Sequence, residues 1–337
     1  MTGVMESDAR ARWRPDVLGD GYEQLTIELG PDPDGEGENV ATLVRYQPSG
    51  ASHDRAVLYV HGFTDYFFQR HVAEHFHEQG YAFYALDLHK CGRSRREGQT
   101  PHFATDLRDY DAEIDRALAL ARSEIGGGPV LLAAHSTGGL ILPLWLDAHR
   151  RRGTEDLGVM GLVLNSPWFD LQGPAVLRSF GTALVDVVGR VSGHTTIPLA
   201  SLDAYGASLH VERRGEWTYD LEWKPLTGFP VRFGWLRAVR RAHARLHRGL
   251  DIGVPALVLR STKSYGRDPD VADLVLDVRQ IARWAGCLGD RTTIVPIDGA
   301  RHDVFLSREE PRRRAFAEVD RWLAEIDEYA APAEPRP

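Results

Sequence analysis

Cysteine is scarce: Cys91 and Cys287 are the only two in 337 residues, and they stand far apart in the chain. That excludes a disulfide-stapled scaffold and leaves free thiols in a reducing compartment as the expectation. No run of eighteen apolar residues occurs, so no segment reads as membrane-spanning. Positive charge is also in deficit, with 40 Lys and Arg against 48 Asp and Glu and a formal net charge of −8. That sign is wrong for a phosphate backbone, and nucleic acid is excluded as a partner. Lysine is confined to Lys90, Lys224 and Lys263. Residues 1–20 carry Glu6, Asp8 and several arginines around no apolar centre, so no secretory signal is expected and the expected location is cytoplasmic.

What is there is an ordinary globular composition, 43% hydrophobic and 26% charged. The length suits two domains, or one α/β domain carrying an insertion. Residues 21–30 and 39–47 alternate apolar and polar around a turn-rich stretch at 31–37, which predicts an antiparallel pair. Short apolar runs at 56–60, 81–86, 130–134, 159–164, 254–259 and 292–297 predict six buried strands. Between them lie helical patterns: 68–79 closed by Gly80, a stripe of Leu107, Tyr110, Ile114, Leu118 and Ala121, a segment from Leu140, and 278–284. Phe316, Val319, Trp322, Leu323 and Ile326 mark a terminal amphipathic helix, and the proline-rich end from Ala330 reads as a disordered tail. Strands alternating with helices predict a mostly parallel eight-stranded sheet covered on both faces. Regularity fails from Asn165 to about Gly253, so the segment 170–253 reads as an insertion after the sixth strand, dividing a core of 21–169 and 254–329.

The chemistry centres on Ala134-His-Ser136-Thr137-Gly138. A buried strand stops at Ser136 and a helix follows at once, which is the layout of a nucleophile elbow. The turn strains the serine backbone, so the residues two before and two after must be small; Gly138 meets the demand, and Ala134 stands where glycine is usual. A serine hydroxyl needs a base oriented by a third group. His302, in the glycine-containing loop after the last strand, holds the place the chain order requires. Asp268, Asp270, Asp273 and Asp277 compete for the acid.

His61-Gly-Phe-Thr-Asp-Tyr66, Asp87-Leu-His-Lys-Cys-Gly-Arg-Ser94, the elbow, and Gly299-Ala-Arg-His-Asp303 together resemble the α/β-hydrolases of the lysophospholipase, monoacylglycerol lipase and serine aminopeptidase branch. The resemblance implies the α/β-hydrolase fold, no cofactor, and a Ser-His-Asp triad. It departs at residues 260–264, where the family's acid would follow the strand and none is present. The run from Asp273 resembles the same acid-bearing pattern displaced by about ten residues, which implies Asp273 as acid, with Asp277 as the alternative. The fold further implies an oxyanion hole from the backbone N–H groups of Thr137 and Phe63. His61 and His135 are expected to hold loop structure.

By position, the insertion resembles the family's cap. Trp168, Phe169, Trp217, Tyr219, Trp223, Phe229, Phe233 and Trp235 would then give an apolar lining, with Tyr66, Trp168 and Phe169 as substrate contacts. Leu236, Val239, Ala242 and Leu246 predict one amphipathic helix within it. The expected substrate is a small-molecule ester with an apolar acyl or aromatic group. An aminopeptidase, needing a carboxylate from Glu212, Glu216, Asp220 or Glu222, an acyltransferase, and a catalytically silent binding protein stay open. His71-Val-Ala-Glu74-His75 fits a zinc-protease pattern, but the serine constellation already accounts for the site, and no metal is expected.

Overall fold

The computed structural model describes residues 12–48, 52–154, 156–172, 185–198, 202–264 and 268–330. Among the described residues nine strands form one sheet: β1 (Arg14–Pro15), β2 (Tyr22–Pro31), β3 (Glu38–Tyr46), β4 (Ala56–Val60), β5 (Ala82–Asp87), β6 (Val130–His135), β7 (Val159–Asn165), β8 (Ala256–Ser261) and β9 (Thr292–Ile297). Their order is β1-β2-β3-β5-β4-β6-β7-β8-β9, and all neighbours from β5 to β9 are parallel. The sheet has one strand more than expected. The addition is a two-residue edge, where Arg14 faces Gln24 and Pro15 faces Glu23; so short a pairing leaves no alternation to read, and an edge tolerates proline.

Successive strand residues face opposite layers. Leu58, Val60, Leu132 and Ala134 join α2 (Asp111–Glu124), α3 (Gly138–Arg151), α5 (Phe233–Leu246) and α6 (Val278–Ala285) in one core. Val57, Tyr59, Leu131 and Ala133 join α1 (Arg70–Glu78) and α7 (Glu309–Ala330) in the other. Each fully buried leucine or phenylalanine contributes about 1.5–3 kcal/mol, which is why the central strands are apolar throughout. Gly80, at φ +86°, ends α1: its N–H donates to His77 O and that of Tyr81 to Phe76 O.

Between β7 and β8 the chain leaves the sheet. Among the described residues there, 185–191 are helical, and α4 (Asp203–Leu209) and α5 follow. The amphipathic segment is α5, and Trp235, Leu236, Val239, Ala242 and Leu246 are its buried face, so the pattern serves packing against the core. The expected tail lies outside the described residues except at its first position, since α7 runs through Ala330. Among the described residues no helix is long and apolar enough to cross a membrane.

Candidate active site

The end of β6 turns into α3 within three residues, and Ser136 sits at the apex with φ 51°. A non-glycine residue there is strained by roughly 1–3 kcal/mol, so surrounding structure must hold it. The Ser136 N–H donates to Asn165 O at 3.0 Å, and Ser136 O accepts from the Trp168 N–H at 3.0 Å. A methyl group on Gly138 would stand 2.5 Å from His61 O and 2.6 Å from Val60 O. One on Gly62 would stand 2.8 Å from Ser136 Cβ. These glycines let the loop after β4 press against the elbow. Ala134, buried in the core, fits without glycine.

His302 Nε2 lies 3.1 Å from Ser136 Oγ, and His302 Nδ1 lies 2.9 Å from Asp273 Oδ2. All three side chains are buried. A carboxylate only accepts, so Nδ1 carries the proton and Nε2 is left with the lone pair that receives the serine O–H. Asp273 Oδ1 accepts from the N–H groups of Val275 and Leu276 at 2.8 and 2.7 Å, which fixes the carboxylate in its own turn.

The structure brings one of the four competing carboxylates to His302. Asp277 instead caps α6, accepting from the Arg279 N–H at 3.0 Å and pairing with that side chain. Asp270 pairs with Arg301 at 2.6 Å and Arg308 at 2.8 Å, and Asp268 accepts from the Asp270 N–H. Asp273 itself returns to the end of β8: its N–H donates to Lys263 O at 2.9 Å, and Ser264 and Asp273 form a parallel bridge. Asp273 thus stands in space beside residues 263–264, near where the sequence lacks a carboxylate.

The loop that carries His302 is held from several sides. Asn165 Nδ2 donates to Asp303 Oδ1 at 2.6 Å while Asn165 Oδ1 accepts from the Val304 N–H. Fully buried Arg301 donates to Leu306 O at 2.7 Å, as Trp217 Nε1 does at 2.9 Å. The supporting contacts of Asn165, Arg301 and Asp270, the last expected only as a rival acid, were not legible in the sequence, because each joins residues at least 31 positions apart. The break at Asn165-Ser-Pro was the one local signal.

Among the described residues, the Phe63 and Thr137 N–H groups donate to no protein acceptor. Both residues line one small space beside Ser136, with His61, Gly62 and Trp235. The Phe63 ring packs on Trp235 with centroids 4.0 Å apart, and the Trp168 ring lies 5.5 Å from that of Trp235. His61 accepts the Leu88 N–H, and His135 Nδ1 lies 3.0 Å from Asp65 Oδ2.

Two of the three expected substrate contacts need correction. Phe169 has no exposed surface and belongs to the core. Tyr66 is buried, and its hydroxyl accepts from the Asp220 N–H at 2.7 Å. Trp217, Tyr219 and Trp223 likewise pack with Tyr66 and Phe68 as a small core of their own. The zinc-like pattern is dispersed: His71 Nε2 donates to Phe305 O, His75 meets Asp320, and Glu74 faces Arg70.

A family model described as "Hydrolase_4: Serine aminopeptidase, S33" matches residues 51–309. No curated protein matches the sequence. Among solved structures, the chain is similar to a soluble variant of monoglyceride lipase from Saccharomyces cerevisiae, at 15% identity and TM-score 0.62, covering 94% of this chain and 95% of that one. It is similar to a monoacylglycerol lipase from Paleococcus ferrophilus, at 20% identity and TM-score 0.59 over 90% and 99% of the two chains. A thermostable carboxyl esterase from Bacillus coagulans matches at 15% identity and TM-score 0.60 over 89% and 98%. At these identities the likeness speaks to the fold.

Proposed function

The chain belongs to the serine aminopeptidase S33 family of α/β-hydrolases, and from that premise we propose that it cleaves a small-molecule carboxylic ester through an acyl-enzyme intermediate. The observation that carries the reading is His302, bonded on one nitrogen to Ser136 and on the other to Asp273. Ser136 Oγ bonds to the carbonyl carbon as its proton passes to His302 Nε2. The carbonyl oxygen becomes an oxyanion, received by the N–H groups of Phe63 and Thr137. Collapse breaks the bond to the alcohol, which leaves with the proton from His302. Water then attacks the acyl carbon as its proton passes to His302, and collapse breaks the bond to Ser136 Oγ, which takes that proton back as the acid is released. Asp273 holds the imidazole in the productive tautomer throughout.

An ester suits the surroundings better than a peptide amino terminus. Glu212, Glu216, Asp220 and Glu222 are exposed, and Glu216 pairs with Arg308 and Arg312. Asp65, buried beside the elbow, is already matched by the Lys224 ammonium at 2.7 Å. The Phe63–Trp235–Trp168 group is the apolar wall left for an acyl or aromatic part.

A fluorophosphonate probe should label wild type, and Ser136→Ala and His302→Ala should lose labelling together with at least about 10⁴-fold in p-nitrophenyl ester turnover. Folded wild type that neither labels nor turns over an ester would sink the reading, and faster cleavage of aminoacyl anilides than of esters would move it to the aminopeptidase.

A further inference from the structure

Lys224 is one of three lysines in the chain, and it is buried. It belongs to the segment between β7 and β8, yet its ammonium reaches the loop that follows β4. Nζ donates to Asp65 Oδ1 at 2.7 Å and to Thr64 O at 3.3 Å. Asp65 Oδ2, in turn, meets His135 Nδ1 at 3.0 Å, and His135 is the residue before Ser136. The His135 ring lies 4.8 Å from that of His302. Burial alone would push the Asp65 carboxyl up, but the Lys224 charge and then the His135 hydrogen bond outweigh it and hold it well below the usual carboxylate range.

The same loop is under backbone strain. Thr64, a β-branched residue, has φ 53°, in the left-handed region it disfavours. It immediately follows Phe63, whose N–H is the oxyanion donor in the reading above. What opposes the strain comes from the same segment: the Phe229 N–H donates to Thr64 Oγ1 at 3.0 Å, Lys224 takes Thr64 O and Asp65, and the Asp220 N–H donates to Tyr66. Three consecutive residues after the oxyanion donor are thus held from one stretch, 220–229. Asp65, His135 and Asp303 also lie close enough to hold a metal ion, but the cation of that cluster is built in, since the Lys224 ammonium already sits on the Asp65 carboxylate.

We propose that Lys224 is a positioning residue for ester cleavage: by clamping Thr64 and Asp65 it sets the Phe63 N–H toward Ser136, so that seating of the inserted segment and competence of the oxyanion hole are one event. This rests on the serine-hydrolase reading, and the tests separate the two.

Fluorophosphonate labelling of wild type is read first; absence of labelling overturns the hydrolase reading and the clamp with it. In labelled protein, Lys224→Met should lower kcat on a p-nitrophenyl ester about thirtyfold with KM within threefold, less than outright loss of an oxyanion donor. Because Lys224→Met leaves a buried carboxylate uncompensated, Lys224→Met with Asp65→Asn removes both charges; the double variant should regain thermal stability yet keep kcat at least tenfold down. Lys224→Arg, which keeps charge and donors, should return kcat to within fivefold of wild type. A folded double variant with wild-type kcat, or a loss confined to KM, overturns the clamp while leaving the hydrolase reading standing.

Discussion

The elbow and the two loops facing it place members of one site by opposite means. Ser136 is set locally, by a strand, a strained turn and a helix consecutive in sequence, with Gly138 removing the one Cβ that would collide with the end of β4. His302 and Asp273 sit on loops whose own turns are supplemented by tethers from afar: Asn165, His71 and Trp217 on the His302 loop, Arg301 and Arg308 on the Asp273 loop through Asp270. Local placement demands particular small residues. Tethered placement tolerates a displaced acid, provided the loop returns to the end of β8.

Asp273→Asn tests that contrast with the largest expected effect. An amide at Nδ1 no longer enforces the tautomer, and ester turnover should fall about 10⁴-fold, whereas Asp277→Asn should keep it within threefold. Equal losses would mean that the two carboxylates share the task and that the tether does not choose. On the elbow side, Gly138→Ala drives a methyl into the His61 and Val60 carbonyls, and the urea midpoint should report about 3 kcal/mol of lost stability. A loss under 1 kcal/mol would show that β4 gives way and that local packing is looser than its geometry.

Acid should find the tethers before the elbow. Burial pushes His71, which donates to Phe305 O, down to about 4, against roughly 6.5 in the unfolded chain. Its stabilising contribution is therefore complete above pH 6.5 and lost as pH falls through about 4, because the unfolded chain binds the extra proton in that window. For a half-buried ring this is worth at most about 3 kcal/mol. His243, pushed by burial to about 3, adds to the same slope. Chemical denaturation at pH 7 and pH 4.5 should show a smaller stability difference for His71→Gln than for wild type; equal differences would mean that His71 titrates normally.

Much of the scaffold could be read directly from the chain. Apolar runs of five or six residues marked every strand from β4 to β9; those from β4 to β8 lie in the buried interior of the sheet and need no alternation, whereas β9, expected to be buried, is the sheet edge and largely exposed. Ser136 was legible because an elbow is a contiguous pattern, and His302 because its place after the last strand is set by topology. The two-residue β1 was invisible for want of length. The aromatic lining was misjudged at Phe169 and Tyr66, since one apolar ring suits a core and a pocket equally and only packing tells them apart.

The sequence by itself determined the alternating α/β architecture, the turn at Ser136 and the candidates for the acid. Tertiary structure decided which carboxylate meets His302, where the inserted aromatics go, and that Lys224 reaches Thr64 and Asp65 in the loop after β4. The reason is range: periodicity and turn strain act within a few residues, whereas Asp273 to His302 spans 29 positions and Lys224 to Asp65 spans 159. Contacts of that reach exist only once the sheet has brought their loops together.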